Sequence, residues 1–425
     1  MNSEAIPDSA HIAAPRDAGA LEATPHEKRI PVLDAIRGFA IFGILVSNMS
    51  GYSYPSYYLS DWGYRWGGLP NKLAWELMAF AVIGKFLTIF SFLFGLSFAL
   101  QLIRTETRGK AIVPLYTRRL LALLLFGAAH AFLIWYGDIL LLYAVAGFLL
   151  LLFRNVQPKA LLACSLLLLC VSYGKWEYRL AQEYANASAI QVAEARPPSD
   201  TSGDKKAEDM SEPSFRAYAK GTYAEMVAQR VHDVYFNYRT TYLSLAHVLS
   251  LFLLGFYAGR RGIFQESEKH IAFFRKLAVW GFFLGILGQT GLHYLYLRSL
   301  PSWMILLRPI ASAMGALSLA AFYVAGLVLL RRRGPGERLL RPLAAVGRTA
   351  LSNYLLQSIV CTAIFYNCGL RLYGRVGPAG ALALAVAIYA GQVLLSSLWL
   401  RRYRFGPLEW LWRTLTYGEA QKFRA

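Results

Sequence analysis

The residues of this chain that could do chemistry stand in apolar surroundings. In "GAAHAFLIWYGDILLLYAVAG", His130 precedes Asp138, and the short "WYG" turn makes the flanking segments neighbours. A carboxylate beside an imidazole holds it in one tautomer and raises its basicity, which is the logic of a general base. Two plainer readings stand beside this one: Asp138 as a helix N-cap, and His130 bonded to a backbone carbonyl. In "AFAVIGKFLTIFSFLFG", Lys85 lies about 12 Å below Leu77 if a helix starts there. A lysine at that depth must snorkel or find a partner in a polar pocket.

"VLDAIRGFAIFGILVSN" places Asp34, Arg37 and Asn48 in one apolar segment. On a helix, Arg37 lies about 60° and Asn48 about 40° from Asp34, so the three share a face, and about 16 Å of rise separates Arg37 from Asn48. Asp34 and Arg37 read as an interfacial ion pair, or as a contact for substrate phosphate. Asn48 and Lys85 read as candidate oxyanion donors, and Asn48 equally as a hydrogen bond to a neighbouring helix. Later apolar segments carry His247, Gln289, His293 and Arg308. "GRTALSNYLLQSIV" carries Ser352, Asn353 and Gln357, the last two on one face at i, i+4.

The elements that must position these groups are membrane helices. The chain is 56% hydrophobic and 16% charged, where soluble domains carry about 25% charged residues. Ten apolar spans are predicted, over 33–50, 75–103, 117–135, 138–154, 158–175, 241–260, 271–296, 305–331, 344–367 and 377–400. The fold class is therefore all-α, a polytopic membrane helical bundle of about ten transmembrane helices. The net charge of +19 is spread between apolar runs rather than over one basic domain, which argues against nucleic acid as a partner. Arg104, Arg108, Lys110, Arg118 and Arg119, then Arg154 and Lys159, and the later clusters near 260, 331–341 and 401–404 fall in alternate loops. Cytoplasmic loops collect Lys and Arg, so both termini are predicted in the cytoplasm.

That topology puts Asn48, Lys85, His130, Asp138, His247, His293 and Arg308 in the outer half of the bilayer, and Asp34, Arg37, Ser352 and Asn353 in the inner half. Residues 1–28 read as a disordered cytoplasmic tail, 29–175 as an N-terminal five-helix region and 241–425 as a C-terminal one. Between them, 176–240 reads as a long extracytoplasmic loop. Tyr218, Met226, Val227, Val231 and Tyr235 in that loop are spaced for an amphipathic helix on the outer membrane surface, or the loop is a solvated connector. The four cysteines read as small buried hydrophobes, with Cys361 and Cys368 too far apart on one helix to bridge. No Cys/His spacing suggests a metal site.

Several stretches together resemble the bacterial YeiB family of inner-membrane proteins: "RIPVLDAIRGFAIFGILVSN", "KFLTIFSFLFG", "HAFLIWYGDILLLYAVAG" and "GTYAEMVAQRVHD". "GRTALSNYLLQSIV" through "YRFGPLEWLWRTLTYG" resembles that family's C-terminal module, a domain of unknown function (DUF418). The opening is also similar to that of transmembrane acyltransferases of the heparan-glucosaminide acetyltransferase type. There an "LD..RG" start precedes a catalytic Asn, which by position is Asn48. Those enzymes also use a His in the first outer loop. The loop here, "MSGYSYPSYYLSDWGYRWGGLPN", has none, and His130, oriented by Asp138, is the substitute.

The leading functional expectation is an acyltransferase. Acyl-CoA would enter from the basic side as donor, with no covalently bound cofactor, and His130 would act as base toward a small-molecule or lipid-linked acceptor. Asp34, Arg37, Asn353, Gln357, His293 and Arg308 are candidate substrate contacts. The alternative is a transporter for a small solute or lipid precursor, since intramembrane ionisable groups mark transport paths too. The partners expected are the lipid bilayer and the substrate, and the pattern is compatible with a homo-oligomer.

Overall fold

The computed structural model describes residues 30–55, 62, 66–109, 111–174, 212–297, 304, 307–332 and 334–424. The N-terminal tail and the whole stretch 175–211 lie outside the described residues.

The described residues form a helical bundle. In chain order the helices are α1 (Pro31–Ser53), α2 (Leu69–Ala81), α3 (Lys85–Glu106), α4 (Ile112–Ala129), α5 (Leu140–Leu152), α6 (Pro158–Gly174) and α7 (212–220). There follow α8 (Tyr223–Arg260), α9 (Ile271–Leu297), α10 (Arg308–Arg331), α11 (Gly334–Arg348), α12 (Ala350–Phe365), α13 (Pro378–Trp399) and α14 (Pro407–Tyr417). The described residues of the ten apolar segments read from the sequence are mostly helical. Among the described residues, six apolar helical segments have the length and composition to cross a membrane, and four are shorter. Apolar side chains such as Trp280, Phe283 and Leu287 of α9 stay exposed, as expected of a surface solvated by lipid rather than water.

α1 lies at the centre. It is buried over most of its length and touches α3, α10, α11, α12 and α13. Its contact with α11 is backbone to backbone: a Cβ on Gly38 would sit 1.9 Å from the Leu343 carbonyl oxygen. α3 and α8 cross in the same way, a Cβ on Gly95 falling 1.9 Å from the Phe252 carbonyl oxygen. Small residues let helices approach this closely where hydrophobicity supplies no drive for association.

Three local departures from the sequence reading matter. The expected second span is two helices, because Val82–Gly84 form a turn with Gly84 at φ +84°, a left-handed conformation that glycine adopts at no steric cost. Lys85 is thus the first residue of α3. The third span is also not uniform: α4 passes into a π-helical turn over His130–Ile134. Finally, Cys361 and Cys368 do not share a helix. α12 ends at Phe365, leaving Cys361 buried and Cys368 exposed beyond it.

The amphipathic segment docks on protein. Tyr218, Met226, Arg230, Asp233 and Val234 are buried, whereas Val231 and Tyr235 are exposed. It is divided between two helices, Tyr218 on α7 and the rest on α8, which runs unbroken from Tyr223 into the apolar segment.

Candidate active site

The π turn sets up the site. It closes with Trp135 N–H donating to the His130 carbonyl at 2.8 Å, one residue wider than an α turn, a distortion frequent at functional sites. The chain then bends back through "WYG" into α5. Asp138 stands just before that helix and serves both ends of the bend. Its Oδ2 accepts the Leu141 N–H at 2.7 Å, a cap, and its Oδ1 lies 2.7 Å from His130 Nδ1. The cap and the orienting carboxylate are one residue.

A carboxylate only accepts, so Nδ1 carries a proton, and in the neutral imidazole Nε2 then presents its lone pair. That lone pair faces Ser358 Oγ on α12, 2.8 Å away. Ser358 Oγ in turn lies 2.7 Å from the Tyr52 hydroxyl at the end of α1. In that neutral form, with Ser358 donating to Nε2, donors run in one direction, Tyr52 to Ser358 to His130 to Asp138. His130 and Ser358 are 0% exposed, as is the Asp138 side chain. A buried charge persists when it is paired and hydrogen-bonded, and both Asp138 oxygens are.

A cavity of about 420 Å³ approaches this chain of bonds at Tyr354, while Tyr52, His130, Asp138 and Ser358 are not among its lining residues. Arg37, Arg104, Arg108, Arg119, Arg348 and Arg413 line it against two carboxylates, Asp34 and Glu409. Asp34 accepts from Arg37 at 2.8 Å, and Arg37 also donates to Ser97 at 3.3 Å. Arg119 lies over the Trp412 ring, 4.1 Å from its centroid, and Trp412 Nε1 donates to the Arg119 carbonyl. Glu409 of α14 caps α12, accepting from the amides of Leu351 and Ser352 and from Ser352 Oγ. Farther in, the lining turns apolar, with Ile44, Phe90, Phe94 and Leu123, and reaches Tyr143 and Tyr354. The Tyr354 ring is 5.1 Å from that of His130.

Comparison with known proteins places the chain. The chain is 40% identical over 418 residues to the "Uncharacterized protein YxaH" of Bacillus subtilis, covering 93% of this chain and 96% of the relative. The chain belongs to the YeiB/DUF418 family. The family described as "Protein of unknown function (DUF418)" matches residues 258–419. The "Uncharacterized protein YeiB" of Escherichia coli is 29% identical, over 92% of this chain and 97% of the relative. The "Uncharacterized 39.9 kDa protein in amylase 3'region" of Bacillus acidopullulyticus is 30% identical, over 92% and 95%.

In this DUF418 protein the other candidates fall in separate places. Lys85 donates to the Ala79 carbonyl at 3.0 Å, so its ammonium neutralises the open carbonyl end of α2. Asn48 is half-buried on α1, one turn before Tyr52. The polar partners of the His130 imidazole are Asp138 and Ser358, not Lys85 or Asn48. Asn353 donates to Thr349 and Ser396, and Gln357 pairs with Gln392, which donates to the Asn353 carbonyl. These amides bind α12 to α13, the use membrane helices commonly make of them. His293 is half-exposed and 3.9 Å from Glu76, while Arg308 is buried and donates to the Leu295 carbonyl. Neither lines the cavity.

Sequence reasoning missed Ser358 and Tyr52. Ser358 follows Gln357 directly, but the imidazole it meets is 228 residues away. The only local signal was its place one turn after Tyr354, on the same helix face.

Proposed function

We propose that this DUF418 protein is a bacterial inner-membrane acyltransferase that moves an acyl group from a CoA thioester to an extracytoplasmic or lipid-linked acceptor. The observation that carries the reading is the junction at Tyr354. This residue lines the arginine-rich cavity and lies in ring contact with the imidazole that Asp138 orients.

The two ends of the cavity suit the two ends of such a donor. Guanidinium groups recognise phosphate with strong, charge-assisted bonds, and CoA carries a pyrophosphate and a 3′-phosphate. The apolar inner lining suits the acyl-bearing arm, and about 420 Å³ is in the range of small-molecule sites. On the topology expected from the alternation of basic loops, with both termini in the cytoplasm, the arginine-rich mouth faces the cytosol, where the donor is made. His130 lies beyond Tyr354, toward the opposite side.

The test is binding and turnover by the full chain in lipid nanodiscs. Acetyl-CoA and CoA should bind, and His130→Ala should abolish transfer while retaining binding. Absence of CoA binding, combined with solute uptake into proteoliposomes, would overturn this reading in favour of a transporter.

A further inference from the structure

We infer that Ser358 is the nucleophile of a buried Asp138–His130–Ser358 triad and carries the acyl group as a covalent ester between donor and acceptor. The inference rests on the acyltransferase reading and adds to it a residue, an intermediate and an order of events. Its basis is the geometry of four side chains from separate elements. Asp138 Oδ1 is 2.7 Å from His130 Nδ1, Nε2 is 2.8 Å from Ser358 Oγ, and the Tyr52 hydroxyl is 2.7 Å from the same oxygen. A hydroxyl within hydrogen-bond reach of a base that is itself oriented by a third group is the arrangement that activates a serine.

A purely structural network needs no such polarity. Ser358 also has a backbone acceptor on its own helix, the Tyr354 carbonyl, at 3.4 Å. The shorter contact is to the imidazole. Placement toward the cavity supports the same role: Tyr354 lines it and lies one turn before Ser358 on α12. Ser358 is fully buried and does not line the chamber, whereas Tyr354 does and its ring is 5.1 Å from that of His130, so the thioester must pass that ring to reach Ser358.

The steps balance without any further reactant. Ser358 Oγ attacks the thioester carbonyl carbon as its proton passes to His130 Nε2, and Asp138 stabilises the imidazolium. The Tyr52 hydroxyl, 2.7 Å from Oγ, is then available to donate to the developing oxyanion. The carbon–sulfur bond breaks, and the thiolate takes the proton from Nε2 and leaves as CoA. In the second half an acceptor hydroxyl or amine gives its proton to Nε2 and attacks the acyl-Ser358 carbonyl. The ester bond then breaks, and Ser358 Oγ recovers its proton from the imidazolium.

The experiment incubates the full chain in nanodiscs with isotopically labelled acetyl-CoA and no acceptor, then quenches in acid. CoA release, CoA binding and peptide masses are read in parallel. One acetyl group is expected on the peptide containing Ser358, labile to hydroxylamine, with a burst of CoA equal to the protein present. Ser358→Ala should bind CoA as the wild type does and lose both adduct and burst. Ser358→Cys, which keeps a nucleophile should the alanine variant misfold, should carry the label as a thioester. If wild-type protein binds and turns over acetyl-CoA while label is absent from Ser358, or if folded Ser358→Ala transfers at the wild-type rate, the covalent role is overturned and the acyltransferase reading stands. If no acyl-CoA binds at all, both fall.

Discussion

His130 Nε2 and Ser358 Oγ meet at 2.8 Å, across 228 residues of sequence. The π turn that ends α4 and the middle of α12 are thereby joined by one polar contact inside an apolar bundle. With Asp138 on the opposite ring nitrogen, the neutral imidazole gives the contact a direction, from hydroxyl to base.

Asp138→Asn tests that direction. Asparagine is as good an N-cap as aspartate, so the bond from Leu141 and the start of α5 should survive. Its amide can donate to Nδ1, which moves the ring proton to Nε2 and removes the acceptor that Ser358 needs. Transfer is expected to fall by about 100-fold or more, with the thermal midpoint in nanodiscs close to wild type. A variant that keeps full transfer would mean the tautomer is irrelevant.

Arg104→Gln and Arg108→Gln test the mouth of the cavity. Both residues line it. A hydrogen bond to a charged group contributes about 1.5–3 kcal/mol, so each change should weaken CoA binding by about tenfold or more. Salt screens charges near solvent, and the wild type should lose affinity with salt more steeply than the double variant. Isothermal titration at two ionic strengths measures both effects, and equal salt dependence would count against phosphate recognition here.

Tyr354→Ala tests the partition between cavity and triad. The ring is buried beside His130, and truncating a large buried aromatic costs about 3–5 kcal/mol. The thermal midpoint should drop accordingly. In protein that remains folded, hydrolysis of acyl-CoA without acceptor should rise relative to transfer, because the barrier over Ser358 is gone. Unchanged partitioning between water and acceptor would exclude a gating role.

Gly95→Ala tests the packing that holds α3 on α8. The added methyl would lie 1.9 Å from the Phe252 carbonyl oxygen, so backbone must move rather than a side chain. Overpacking of this kind costs about 1–3 kcal/mol. A lower unfolding midpoint in detergent is expected, whereas Gly326→Ala, where a Cβ meets nothing within 4 Å, should be tolerated.

The entry to α8 should depend on pH. Thr222 donates its backbone N–H and hydroxyl to Glu225 at 2.6 and 2.9 Å, and these bonds hold the Glu225 carboxyl below its ordinary value. A carboxyl with a lowered folded pKa adds stability that is complete above its ordinary pKa. That stability is lost as pH falls through the folded value. Amide exchange over residues 223–226, corrected for intrinsic rates, should therefore accelerate only in acid. Glu225→Gln should remove that acid-dependent rise.

The sequence by itself determined the class and the local polar contacts. Ten apolar segments of helical length, with basic residues in alternate loops, leave only an all-helical membrane bundle, because hydrocarbon forces each segment to satisfy its own backbone. The Asp34–Arg37 pair and the His130–Asp138 contact were legible for a related reason: each is local, set by one helical turn or one short bend. What lay beyond the sequence was every pairing between distant helices. Ser358 looked like an ordinary serine until α12 was packed against the π turn. Asn353 and Gln357 looked like binding residues until α13 supplied Ser396 and Gln392 as partners. Lys85 looked like a charge in mid-helix until Gly84 broke the helix before it and the Ala79 carbonyl received the ammonium. Helical periodicity tells which face of a helix a residue occupies. Which other helix meets that face depends on close backbone contacts such as Gly95 with Phe252 and Gly38 with Leu343, and only the tertiary structure decides those.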